Sequence, residues 1–194
     1  NSHGARANGD LSLINARDTS ITTSSSGSDG AQAVAGAQVL LTNGGVSTIG
    51  DASYGARSSG IGSLVDAKGT EIGTTGIGSI GANANSGGWV KLADNILHTT
   101  GSDAHGLQST GTGSKITGEN LTVTTANLNS DGAQAMASAQ VLLTNGEIST
   151  TGNTSYGVRS DGAGSLVDAN GTKIETTGTG SIGANANTGG EGKL

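Results

Sequence analysis

The chain has 194 residues, of which 36 are glycine, and it contains no proline, cysteine or phenylalanine. Without cysteine it can form neither a disulfide framework nor a thiolate metal site, and no stretch approaches the roughly 20 apolar residues of a membrane-spanning helix. Nine basic and 15 acidic residues give a net charge of −6. This balance argues against nucleic acid or an anionic membrane surface as a partner.

One glycine recurs along the whole chain at spacings that alternate between 26 and 25 residues. A fixed period in this range indicates a solenoid, in which each repeat packs only against its neighbours. We call these residues the anchor glycines: Gly4, Gly30, Gly55, Gly81, Gly106, Gly132, Gly157 and Gly183.

A first strand is predicted directly after each anchor glycine, where small residues alternate with polar ones, as in Ala31-Gln32-Ala33. Alternation with a period of two is typical of a strand with one face inside and one in water. The polar members are expected to form one outward column: Arg6, Gln32, Arg57, Asn83, Gln108, Gln134, Arg159 and Asn185.

A second strand is predicted from a column nine positions after each anchor. It holds Leu13, Val39, Leu64, Val90, Val141 and Leu166, with Lys115 as a break that the neighbouring Ile116 is expected to fill. A third strand holds Ile21, Val46, Ile72, Leu97, Val123, Ile148 and Ile174. Two residues later every coil has a threonine, from Thr23 to Thr176. Its parity predicts that this column points inward, with hydroxyls bonded along the stack or to backbone.

Turn residues such as Asn43-Gly44, Asn145-Gly146 and Lys68-Gly69 separate the second strand from the third, and supply the positive φ that corners require. These patterns predict an all-β fold, a right-handed parallel β-helix (solenoid) with about 25 residues and three strands per coil. Seven to eight coils would stack ~4.8 Å apart, and the right hand is the general preference of parallel crossovers.

A longer period lies on top of the coils. Residues 28–88 match residues 130–190 at about three positions in four. We therefore interpret 1–194 as a single β-helix segment with an internal four-coil duplication, 1–102 and 103–194. Because the pattern is already under way at both ends, we expect a segment of a longer protein.

Carboxylate pairs suitable for catalysis are not evident. Asp66 and Asp168 occupy the same column but lie four coils, ~19 Å, apart, whereas paired carboxylates act at roughly 5–10 Å. Asp29 and Asp131 precede anchor glycines, and we interpret them as solvated turn acids. The sequence therefore predicts no catalytic residue.

Two other classes of site are weaker alternatives. His98 and His105 flank one corner and would be the ligands of a metal site, but no cysteine and no column of acids supports it. Ice binding by a flat threonine array is the other alternative. The uniform threonine column has inward parity, however, and the outward column beside it is too mixed for a lattice match. No cofactor and no metal is expected.

Five exposed residues are possible surface contacts. Trp89 lies beside the inward Val90, which turns the indole outward or toward a corner. Arg57 and Arg159 share the outward polar column, and Tyr54 and Tyr156 recur with them across the duplication. Tryptophan, tyrosine and arginine are favoured anchors of interfaces. The alternative interpretation is an ordinary solvated β-surface.

The repeats resemble a known group. Residues 151–160 (TGNTSYGVRS), 164–167 (GSLV) and 174–178 (IETTG) are similar to passenger repeats of bacterial autotransporters of the pertactin-like kind. The resemblance implies a right-handed β-helix at the bacterial cell surface, preceded by a secretion signal and followed by a C-terminal outer-membrane barrel. The rod itself would not insert into the membrane. It further implies a host surface protein or glycan, or a sister cell, as partner.

The expected function is therefore a non-enzymatic stalk or adhesin segment of an autotransporter passenger that mediates adhesion or cell aggregation. No insertion between strands is long enough to be an effector domain. The alternative is a polysaccharide-degrading β-helix enzyme, a lyase or hydrolase. That alternative predicts a groove with several acids, or an Arg–Lys pair, on adjacent coils.

Overall fold

The computed structural model describes residues 2–194, which form 18 β-strands and no helix. Every pairing between strands is parallel, and successive coils stack as a β-solenoid of about seven turns, which confirms the predicted fold class. In chain order the strands are β1 (Ala5–Asn8), β2 (Leu13–Thr23), β3 (Ala31–Val34), β4 (Gln38–Thr48), β5 (Tyr54–Ser59), β6 (Leu64–Lys68), β7 (Glu71–Thr74), β8 (Ile80–Asn85), β9 (Trp89–Ala93), β10 (Ile96–Thr99), β11 (Leu107–Thr110), β12 (Lys115–Thr125), β13 (Ala133–Met136), β14 (Gln140–Thr150), β15 (Tyr156–Asp161), β16 (Leu166–Thr176), β17 (Ile182–Asn187) and β18 (Glu191–Lys193).

The strands belong to two sheets. Sheet A contains the strand after each anchor glycine, in the order β1-β3-β5-β8-β11-β13-β15-β17. Sheet B contains all the others. In five coils the predicted second and third strands run on as one bent strand of 11 residues, namely β2, β4, β12, β14 and β16.

The corner between the second and third strands is a bend within the ladder. At Asn43, whose φ is 55°, one residue drops out of the pairing, because Thr42 pairs with Arg17 and Gly44 with Thr19. Asparagine tolerates the left-handed region better than most residues. The strand therefore turns at the predicted residues while hydrogen bonding continues on both sides.

The register of the second strand corrects one predicted column. The inward column is Ile14, Val39, Val65, Val90, Ile116, Val141 and Val167, all buried except the partly buried Ile14. Leu13, Leu64 and Leu166, predicted inside, instead align with Lys115 in the outward column, and Leu13 is 57% exposed. The reason is the alternating repeat length, because every second coil has one more residue between its sheet A strand and its sheet B strand. Lys115 therefore lies in the outward column with Trp89 and Gln140, and is not a break in the inward one.

The interior is narrow and its columns are filled alike from coil to coil. The third-strand aliphatics and the threonines behind them stack in the predicted register. The hydroxyls of Thr23, Thr99 and Thr125 donate to the carbonyl five residues ahead, as expected. Those of Thr48, Thr74 and Thr150 have no partner within residues 2–194, so that part of the prediction is wrong.

In one coil a core side chain comes from a different position of the strand, Leu121 in place of residue 118. Gly118 stands in an inward column that otherwise alternates alanine and leucine, between Leu92 and Leu143. A Cβ built on Gly118 would lie 2.4 Å from Leu121 Cδ1. The buried Leu121 side chain therefore fills the space that Gly118 leaves, and keeps this coil as densely packed as its neighbours.

Candidate functional site

The anchor glycines position two clusters of polar side chains on the outer side of sheet A. At Gly55 the ladder skips a residue: Tyr54 pairs with Ile80 and Ala56 with Ala82. Gly55 and Ala56 are both buried, so the side chains on either side of this pair, Tyr54 and Arg57, emerge on the same outer side. A strict period of two would have placed them on opposite sides.

The second cluster is built around Asp131, whose side chain is only 3% exposed. Its Oδ1 accepts a hydrogen bond from the backbone N–H of Tyr156 at 2.9 Å, and its Oδ2 accepts one from Gln134 Nε2 at 3.2 Å. The Arg159 guanidinium lies 4.0 Å from the same Oδ2. Both carboxylate oxygens are thus held by groups of the protein.

A histidine on the preceding coil completes this cluster. The backbone N–H of Asp131 donates to His105 Nδ1 at 3.0 Å, which assigns the ring proton to Nε2 and leaves the imidazole neutral. Burial, together with the charge of Arg159, lowers the pKa of His105 to about 4. Burial also raises the pKa of Asp131 to about 6, against the Tyr156 hydrogen bond and the charge of Arg159. The cluster borders an open depression of about 400 Å³.

The first cluster repeats this arrangement 102 residues earlier. Asp29 Oδ1 accepts from the backbone N–H of Tyr54 at 3.2 Å, and Oδ2 accepts from Gln32 Nε2 at 2.6 Å. Arg57 Nη1 lies 3.6 Å from Oδ2, and the Asp29 N–H donates to His3 Nδ1 at 3.1 Å. Burial raises the pKa of Asp29 as well.

The structure brings together four of the five predicted contact residues, in two pairs. The Arg57 guanidinium carbon lies 4.8 Å from the centroid of the Tyr54 ring, and that of Arg159 lies 5.3 Å from the Tyr156 ring. Each aromatic ring supports its arginine by a cation–π contact. These four residues therefore display two guanidinium groups in fixed positions on one side of the rod.

Trp89 lies elsewhere, in the outward column of sheet B, with 39% of its surface exposed. Its indole N–H donates to Thr117 Oγ1 at 3.1 Å, and Lys115 Nζ is 5.7 Å from its ring. The predicted outward orientation agrees with this position. Trp89 is separate from both arginine clusters, which lie on sheet A.

The interpretation of Asp29 and Asp131 as solvated turn acids is wrong. Their relative exposures are 1% and 2%, because each carboxylate is covered by the groups that contact it: a glutamine of its own coil, and the backbone N–H and the arginine of the next coil. Sequence reasoning also missed Gln32 and Gln134, which bond these carboxylates. The available signal was the recurrence of the whole His, Asp, Gln, Tyr and Arg set at one offset.

The acids do not form a paired-carboxylate centre. The two clusters are four coils apart, ~19 Å at the spacing of β-strands, and each buried carboxylate is already bonded. Of the two acids that share a column of sheet B, Asp66 and Asp168, Asp66 pairs with Lys91 on the next coil at 3.1 Å. The arrangement is chemically suited to bind polar or charged groups through its arginines, tyrosines and amides.

Across residues 2–194 no three histidine, aspartate or glutamate side chains converge as metal ligands would. His98 Nδ1 contacts the hydroxyl of Thr124 on the next coil. In the same part of the chain there is no helix with the length and apolar character needed to cross a membrane.

Comparison with known proteins gives a likeness of fold. A chain in the cryo-EM structure of the Vag8–C1 inhibitor complex superposes with a TM-score of 0.56 and 17% sequence identity over 96% of the present chain. The present chain spans 61% of the length of that chain. No protein-family model and no curated protein matches the sequence. The likeness supports the β-solenoid architecture.

Proposed function

We propose that this chain is a non-enzymatic β-helix segment of an autotransporter passenger, exposed at the bacterial cell surface, whose sheet A contacts a host protein, a host glycan or a sister cell. The observation that carries the proposal is the state of the two buried carboxylates. Asp29 and Asp131 are bonded through both oxygens to the protein's own N–H groups. They position arginines on an open surface and are not offered to a substrate.

The likeness of the sequence to passenger repeats and the likeness of the fold to a solved β-solenoid both support the proposed class of protein. The sequence resembles passenger repeats, and the solved chain of similar fold belongs to a complex of Vag8 with C1 inhibitor. A protein partner is therefore compatible with a rod of this type. For the present chain we propose adhesion or aggregation through side chains that the rigid coils hold at fixed intervals.

The test measures binding of the labelled, purified chain to immobilised matrix proteins, to glycans and to intact cells. We expect saturable binding that the variant Arg57→Gln/Arg159→Gln reduces. Lys173→Gln is the matched control, because it removes a cation from sheet B, where Lys173 is exposed and paired with Glu147 and Glu175. Equal binding by all three proteins would contradict a role for sheet A.

The same preparation tests the enzymatic alternative. Acidic polysaccharides are incubated with the chain, and new reducing ends are measured over time. We expect no release above a boiled control. Release that Asp131→Asn and Asp29→Asn abolish would overturn the non-enzymatic proposal, and would assign the buried acids a role in polysaccharide cleavage.

A further inference from the structure

The first and second clusters present nine matched outward positions on sheet A, three from each of three successive coils. Five of the nine pairs are identical, namely His3 and His105, Asp29 and Asp131, Gln32 and Gln134, Tyr54 and Tyr156, and Arg57 and Arg159. The four that differ are Arg6 against Gln108, Asn8 against Thr110, Val34 against Met136 and Ser59 against Asp161. The first set therefore carries two arginines and one aspartate, whereas the second carries one arginine and two aspartates. The same scaffold holds opposite charge at its two ends.

Asp161 shows what fits beside the arginine that both clusters share. Its Oδ2 accepts a hydrogen bond from Arg159 Nη2 at 2.9 Å, while Arg159 Nη1 faces Asp131. One edge of the guanidinium is thus filled by a carboxylate of the chain itself. In the first cluster the equivalent position is Ser59. Within residues 2–194, Arg57 makes one ion pair, to Asp29 through Nη1, so the corresponding place lacks a carboxylate.

The two clusters also differ on the coil that precedes the central glutamine, Gln32 or Gln134. Gln108 Nε2 donates to Gln134 Oε1 at 2.9 Å and satisfies that buried amide. The equivalent Gln32 is only 6% exposed, yet its Oε1 has no partner within the described chain. Arg6 takes the place of Gln108, directly beside Gln32 in the register. An unpaired buried acceptor destabilises the fold, because it has lost its hydrogen bonds to water without gaining others.

We propose that Arg6 and Arg57 together bind a carboxylate of an acidic polysaccharide across Gln32, so that the ligand supplies Arg57 with the kind of partner that Asp161 supplies to Arg159 in the second cluster. The proposal rests on the proposed function, for which it names the ligand class. Arginine has five N–H donors in a planar fork. Arg6 can therefore donate to the carboxylate and to Gln32 Oε1 at once, so binding also satisfies the unpaired amide.

The spacing of polar groups along the column that contains Arg6 and Arg57 favours a polysaccharide over an acidic peptide. Beyond Arg57 this column continues with Asn83 and Gln108, whose amides are hydrogen-bonded to one another at 3.1 Å. Polar groups therefore recur along the rod every ~4.8 Å, close to the length of one sugar unit in an extended chain. An extended peptide repeats its side chains on one face every ~6.7 Å, which does not match this spacing.

The experiment titrates the chain with a uronic-acid tetrasaccharide in a calorimeter. Two probes of similar length accompany it: the carboxyl-reduced neutral tetrasaccharide and an oligoglutamate. We expect one uronate site per chain, weakened by added salt, and at least tenfold weaker binding of both other probes. Equal affinity for the neutral sugar would overturn the role of the carboxylate. Equal affinity for oligoglutamate would overturn the polysaccharide.

Two reciprocal variants use the duplication as an internal control. Arg6→Gln/Ser59→Asp gives the first cluster the residues of the second, and we expect affinity for the uronate to fall at least about tenfold, the effect of losing one charge-assisted hydrogen bond. Gln108→Arg/Asp161→Ser makes the opposite change, and we expect two sites per chain. All four positions face outward, so circular dichroism should show unchanged folding. Unchanged stoichiometry in the second variant and unchanged affinity in the first would overturn the proposal.

Failure of this inference is distinguishable from failure of the proposed function. Cell or matrix binding by the wild type that persists in Arg6→Gln/Ser59→Asp, with no uronate affinity in either protein, overturns the carboxylate site and leaves adhesion in place. A uronate titration with the expected variants, but without any binding to cells, matrix or glycan surfaces, supports the site and overturns the adhesive function.

Discussion

Substitution of Gly132 by alanine should destabilise the rod by an amount that can be worked from its surroundings. A Cβ at this anchor glycine would lie 2.2 Å from Ile148 Cγ2 and 2.5 Å from the carbonyl oxygen of Gly157. Ile148 is fully packed in the core, and the carbonyl belongs to the backbone of the next coil. Neither group can move aside cheaply.

Overpacking a core costs about 1–3 kcal/mol, and the backbone contact places Gly132→Ala near the upper value. For a chain of this length each kcal/mol lowers Tm by about 2–4 °C, so we expect a loss of roughly 6–12 °C. The measurement is thermal and urea unfolding followed by far-ultraviolet circular dichroism.

Gly73→Ala is the matched control for this substitution. Gly73 also lies in a strand of a middle coil, but the atom nearest to its added Cβ is Val46 O at 4.0 Å. We expect a change within about 0.5 kcal/mol, as for other unstrained surface positions. Equal stability of the two variants would refute the reasoning that steric exclusion of a side chain sets the 25- and 26-residue beat.

Four further predictions use other parts of the rod. Leu121→Ala should cost about 2–5 kcal/mol by opening a cavity, and adding Gly118→Ala should recover part of that loss in urea unfolding. Asp131→Asn removes a carboxyl with a raised native pKa of about 6. Such a group lowers native stability as the pH rises from about 4 to 6, so the variant should gain stability relative to wild type over that interval. His105→Asn removes a group with a lowered native pKa of about 4, which lowers wild-type stability as the pH falls, so this variant should gain relative stability from pH 6.5 down to 4. Trp89→Ala should change unfolding by less than about 1 kcal/mol, because the indole is outward, and a contact role would appear as weaker cell binding.

The fold was predictable because each inward column repeats one chemical type. The third-strand column from Ile21 to Ile174 and the threonines behind it were placed correctly by residue type, although their distance from the anchor glycine alternates between 17 and 16 residues. The second-strand column was misplaced in every other coil, at Leu13, Leu64 and Leu166. A count from the anchor does not reveal that the extra residue of the longer coils falls between the two sheets. Leu64 and Val65 are both aliphatic, so composition does not show which of the two points inward.

The candidate site was only partly predictable, for a different physical reason. Tyr54 and Arg57 were expected to be exposed, but their contact depends on two successive inward residues, Gly55 and Ala56, which break the period of two. The same irregularity places Asp29 on the outer side of sheet A, where Gln32 and Arg57 cover its carboxylate. Alternation predicts the side on which a residue lies only while the ladder is regular, and here the ladder is irregular at the glycine that marks each repeat.

Stacking of the coils restricts the volume of inward side chains but leaves outward side chains free to vary. Between residues 28–88 and 130–190 the inward changes are conservative enlargements, Val46 to Ile148 and Ala56 to Val158. The outward changes include reversals and gains of charge, such as Ser59 to Asp161. Because a dense core tolerates little change in volume whereas an outward column only has to stay hydrated, a duplicated rod can keep its architecture while its two halves acquire different ligands. The carboxylate site proposed at Arg6 and Arg57 follows from that freedom: the second half has supplied its own carboxylate, and the first half has left the position to a partner.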